Sequence, residues 1–185
     1  MKKSLIILMV LIFTAVLFPA CLTDAGVDVE EIENGVFPYF VNNIETNKAY
    51  IFKSVVQIEE YIEQIETKYF NDTELFHPKY SEDREEYWKN EIKPNLVESF
   101  NKYNDAFFTH SNLVMVLWVE RNKPIKIKIE KIGVKNNEFY IRIKRNIPIG
   151  PQATDSLPGA CFLIPVKSSI FHGDKVIIET RNTYW

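Results

Sequence analysis

Three histidines, two cysteines and 25 acidic side chains are the groups of this chain most able to carry chemistry. His77, His110 and His172 stand apart, in no H-x-x-x-H or H-x-H arrangement, so a metal site would have to be gathered from distant elements. The six glycines form no G-x-G-x-x-G and no phosphate loop. No G-x-S-x-G is present, and Cys161, inside Ala160-Cys161-Phe162-Leu163-Ile164, lacks the cationic surroundings that activate a thiolate. A small buried hydrophobe is the expectation there. The carboxylates are numerous enough for an acid/base pair, but they fall on helix faces and in an acidic N-terminal stretch, where solvation is their ordinary fate. Phe107, Phe108, Trp118, Phe139 and Phe162 read as core. Tyr140, Arg142 and Lys144, alternating along one strand, have the character of surface recognition. No residue pattern requires a cofactor.

The elements that must position these groups begin after a leader. Lys2 and Lys3 precede a stretch, Leu5 to Leu17, that is apolar at every position but Thr14. That length suits a signal peptide and falls short of a spanning helix. It closes on Phe18-Pro19-Ala20-Cys21, which resembles a bacterial lipobox with Phe18 in the place of the usual leucine. Residues 1–21 are therefore expected to be a signal peptide, with Cys21 the lipidation site and a membrane anchor. Ordinary cleavage near Ala20 and an uncleaved short anchor are the alternatives, and every version places the domain outside the cytoplasm. An unlipidated Cys21 would leave a Cys21–Cys161 disulfide open. Loss of Lys2 and Lys3 leaves 20 basic residues against 25 acidic ones, a net charge of −5. That balance, with its lysines scattered, argues against nucleic acid and against a polybasic surface for anionic lipid.

Residues 22–35 read as a tether rich in acids (Asp24, Asp28, Glu30, Glu31, Glu33), and residues 36–185 as a single domain. Val36 to Val41, with Pro38, would be an edge strand at most. Lys48 to Lys53 is a strand that stops at Ser54, whose hydroxyl and Gln57 form a capping-box pattern. The helix beyond it carries Val55, Ile58, Ile62 and Ile65 on one stripe. Ser81 could cap a second helix holding Tyr87 and Trp88, and a further amphipathic segment after Pro94 carries Leu96, Val97, Phe100 and Tyr103. Leu113–Val119 has no polar side chain and reads as the centre of a sheet, buried on both faces. Ile125 to Glu130 and Phe139 to Lys144 alternate about an Asn136-Asn137 turn, an antiparallel pair with one wet face. Arg145 to Gly159 is a long loop, followed by strands over Ala160–Val166 and Lys175–Thr180. The expected fold is α+β: an antiparallel sheet of about five or six strands, covered on one face by two or three helices.

The second half resembles the protease complex subunit PrcB family of bacterial secreted or lipid-anchored proteins. The matching pieces, over about residues 107–167, are Phe107-Phe108 leading into Leu113–Val119, then Ile125–Ile132 and Phe139–Lys144. Pro148, Gly150, Thr154 and Pro158 follow in the long loop, and Cys161–Val166 closes the block. The departure is at Arg121–Pro124, where the family tends to a small Ser/Gly turn. The resemblance implies a non-catalytic accessory protein that assembles with an extracytoplasmic protease or another surface complex. Contacts are then expected from Tyr140, Arg142 and Lys144 and from Thr154 and Asp155 in the loop. A secreted hydrolase with dispersed carboxylates, or a small-ligand carrier, is the alternative.

Overall fold

The computed structural model describes residues 32–35, 47–71, 83–119, 126–150 and 159–184. Among them the strands are β1 (Glu33–Asn34), β2 (Lys48–Phe52), β3 (Ser111–Val119), β4 (Lys126–Lys135), β5 (Glu138–Ile147), β6 (Gly159–Lys167) and β7 (Val176–Tyr184). The helices are α1 (Val55–Asn71), α2 (Arg84–Tyr87), a π turn over Trp88–Ile92, α3 (Lys93–Glu98) and the single turn α4 (Asp105–Phe108).

β3 is the centre. Its odd-numbered Leu113, Met115 and Leu117 pack under the helices with Leu163 and Cys161 of β6. Its even-numbered Val114, Val116 and Trp118 face a second sheet, alongside Phe162, Ile164 and Val166. Leu113, Val114, Val116 and Leu117 are fully buried, and each such side chain stabilises the fold by about 1.5–3 kcal/mol. The run without polar side chains is thus apolar because both of its faces are dry.

The α+β class and the helical cover on one face agree with the sequence, but the strands divide between two sheets. One is antiparallel, in the order β1-β6-β3-β2; the other has the order β4-β5-β7, with β5 and β7 parallel. Alternation tells which side of a strand is buried and says nothing of which sheet the strand joins. The β4–β5 hairpin forms as expected, with Asn136 and Asn137 at φ 52° and 60°, and a bulge between Ile129 and Lys131.

Local signals account for most of the helical layer. Ser54 Oγ accepts from Gln57 N at 3.4 Å, while Gln57 Oε1 accepts from Lys53 N at 2.6 Å, one residue ahead of the usual capping box. The segments expected on either side of Pro94 are one continuous helical run. Proline cannot donate to the carbonyl four residues back, and the preceding π turn, in which Lys93 N reaches the Trp88 carbonyl, absorbs the mismatch. Trp88, Ile92, Leu96 and Phe100 then all lie on the core side. At α4 the Asn104 side chain accepts from Phe107 N at 3.1 Å, seating Phe107 and Phe108 against the same core.

Three boundaries move. The tail of the expected tether is structured: Glu33 and Asn34 pair with Leu163 and Phe162, and Gly35 N donates to the Cys161 carbonyl at 2.9 Å. The expected loop loses Arg145 to Ile147 to β5, and the last strand runs on to Tyr184, because parallel pairing extends β5 and β7 together. The Val36–Val41 strand, the Ser81 cap, the leader and the Arg121–Pro124 turn lie outside the described residues.

Cys161 is a free thiol, 4 % exposed. Burial pushes it up to about 12, and burial likewise pushes the neighbouring Tyr103 up to about 12. Between the ordinary thiol range and pH 12 the unfolded chain releases a proton that the folded chain retains, so stability falls as pH rises. By pH 10.5 the loss from Cys161 alone is on the order of 2 kcal/mol relative to pH 8. Urea melts at both pH values check this: the drop should shrink by that amount in Cys161→Ala, and an unchanged drop would reject the assignment.

Candidate functional site

Strand alternation collects a set of charges on the outer face of the β4-β5-β7 sheet. Ile141 and Ile143 of β5 point to the core between the sheets, which turns Tyr140, Arg142 and Lys144 outward. The register sets Lys131 and Glu179 on either side of Arg142, and Lys128 and Arg181 on either side of Lys144. The three expected contacts therefore share one face in the middle strand, half-buried by their flanking neighbours.

Two arrangements result. Tyr140, Arg142 and Glu179 form a closed unit: Tyr140 Oη donates to Glu179, and Arg142 donates to Tyr140 Oη at 2.8 Å and to Glu179 Oε2 at 3.3 Å. The hydrogen bond to Glu179 raises the phenol of Tyr140, and the same bond holds the Glu179 carboxyl below its ordinary range. At pH 7 this is a fixed, hydrogen-bonded phenol beside a guanidinium, suited to presenting donors.

The second arrangement is a cation row. Lys128, Lys144 and Arg181 are direct cross-strand neighbours. Arg181 is matched by Glu130 at 3.1 Å, while Lys128 and Lys144 have no ion pair among the described residues. Like charges directly opposite on a sheet are destabilising, by roughly 0.2–1 kcal/mol per pair. Counting Lys126, Lys131, Lys135 and Arg142 as well, seven cations share this face with Glu130, Glu138 and Glu179. The face is therefore positive on a chain whose formal net charge is −3. Lysines that look scattered in sequence are gathered by the two-residue period and the register. Sequence reading missed Glu179 and Arg181 as members of the site, because the β5–β7 register has no local signal; Lys128 and Glu130 stand on the wet face expected of the β4–β5 hairpin but read there as ordinary solvated charges.

Thr154, Asp155 and Cys21 lie outside the described residues. His110 and His172 both meet Ser168, the first through its backbone carbonyl and the second through ring Nδ1, and His77 is outside the described residues. No group of three or more His, Cys, Asp or Glu able to hold a metal occurs among the described residues. Among the described residues two carboxyls have displaced titration, Glu179 and Glu85, and both move down, through hydrogen bonds to Tyr140 and Lys89. A general acid requires the opposite direction. No helix among the described residues is long and apolar enough to cross a membrane.

Searches of protein-family models, of curated proteins and of solved structures return no match for this chain.

Proposed function

We propose that this protein is a non-catalytic accessory subunit at the cell surface, anchored through a lipidated Cys21 and bound to a protein partner through the outer face of β4-β5-β7. The resemblance to the PrcB family makes an extracytoplasmic protease complex the first partner to seek. The observation that carries the reading is the Lys128–Lys144–Arg181 row, which costs the isolated sheet stability and is relieved when a partner brings carboxylates to it. Beside it, the Tyr140–Arg142 unit supplies an aromatic and a guanidinium already held in place, the residue types that dominate interface energetics.

The test is cross-linked recovery of partners from intact cells with the full chain, Lys144→Glu and Tyr140→Ala, with mass spectrometry of the mature N-terminus in the same samples. Reversal at Lys144 should lower recovery of the specific partner about tenfold or more, with a melting temperature near that of the parent. An acylated Cys21 supports the anchor. Equal recovery of every partner by the parent chain and both variants would sink the assignment of this face, and an N-terminus cleaved without acylation would sink the anchor.

A further inference from the structure

We propose that the groove between α1 and the segment running from α3 to α4 is a docking site for a lysine- or arginine-bearing amphipathic helix of a partner protein. The groove holds about 580 Å³, within the about 300–1,000 Å³ of ligand clefts. Its floor is apolar, made by Ile58 and Ile62 of α1 and by Phe100, each at most 8 % exposed. Val97 on the facing wall remains 39 % exposed. An apolar trough between two helical segments is the seat that an amphipathic helix fills with its own apolar stripe.

The rim fixes the charge of the occupant. Glu59, Glu63 and Glu66 succeed one another at i, i+4 and i+7 along the edge of α1, and Asp105 lines the far wall. Lys93 reaches Glu66 at 3.1 Å, while Glu59 and Glu63 have no ion pair among the described residues. Like charges at this spacing weaken a helix, so the stripe is not there for the stability of α1. It extends roughly 10 Å along the axis, a match for lysines repeated over two turns of an adjoining helix and longer than one small cation spans. The sign also turns the groove away from anionic membrane surfaces.

This groove lies on the helical face of the four-stranded sheet, whereas the cation row lies beyond that sheet's other face. The proposal stands without the reading of the outer sheet face. Two unlike surfaces on opposite sides suit a protein that joins two others.

The test uses the whole chain and a fluorescein-labelled 14-residue peptide, Leu-Lys-Lys-Leu-Leu-Lys-Leu repeated twice, read by fluorescence anisotropy. A scrambled peptide of the same composition, without an apolar face, and spermine serve as competitors. Saturable 1:1 binding is expected, weakened about tenfold by Glu63→Lys and severalfold by Val97→Gln. Both positions are exposed, and thermal melts confirm that the variants fold. Lys144→Glu should bind as the parent does. Equal binding of the scrambled peptide, displacement by spermine at the same concentration, insensitivity to both groove variants, or no saturable binding each overturns the proposal.

Discussion

Replacing Gly173 with alanine should lower stability by about 3 kcal/mol, a fall in melting temperature on the order of 6–12 °C for a domain of this size. A Cβ at Gly173 would sit 2.1 Å from the Asn137 carbonyl oxygen and 2.9 Å from Phe171 Cε2. The first of these is backbone, held in the Asn136-Asn137 turn by two residues at positive φ, so no rotamer change clears it. Relief requires pulling the hairpin tip from the segment before β7. That loosens the Phe139 N bond to the Lys175 carbonyl (2.9 Å) and the contact of Phe139 with Phe171, whose ring centroids lie 5.3 Å apart. The Phe171 carbonyl is in turn the acceptor of Asn112 Nδ2 at 2.8 Å, the buried polar contact at the start of β3. Circular dichroism melts decide the matter: a midpoint within about 2 °C of the parent would mean the tip moves freely and the packing argument is wrong.

Trp88→Ala should cost about 3–5 kcal/mol. The indole is fully buried, with its ring 4.9 Å from Tyr69 and 6.0 Å from Phe70. The Arg84 guanidinium lies 4.9 Å over the Tyr69 ring, so the cluster ties the start of the second helical run to the end of α1. Truncation leaves a void at that junction, and the short helices α2 and α3 have little intrinsic stability to fall back on. Urea unfolding measures the loss, and a value under about 1 kcal/mol, ordinary for any substitution, would show that the junction repacks. Trp88→Phe should recover a large part of the loss.

What could be read from the sequence was whatever repeats locally. The β3 core run, the Ile125–Glu130 and Phe139–Lys144 alternation, the asparagine turn and the Ser54 start of α1 all express a period or a turn within a few residues. The pairing of β5 with β7 does not: Phe139 meets Val176 across a segment that belongs to the other sheet. β1 is two residues long, too short to carry a pattern. Pro94 reads as a helix start because a π turn has no sequence period of its own. The candidate site divides in the same way. Tyr140, Arg142 and Lys144 share a face by alternation alone and Lys128 joins them across the hairpin, whereas Glu179 and Arg181 join only through the β5–β7 register.

From β3 onward the chain leaves the first sheet for β4 and β5, returns to it for β6, and leaves again for β7. No single cut in the backbone separates one sheet from the other. Neither sheet is therefore an independent folding unit, and the two should lose their structure in one cooperative step. A chain that emerges from the ribosome N-terminus first cannot close the four-stranded sheet before β6 is made, nor the other before β7. Until then the apolar sides of β3, β4 and β5 have no lasting cover, and the nascent protein remains a client for holding chaperones until β7 is made.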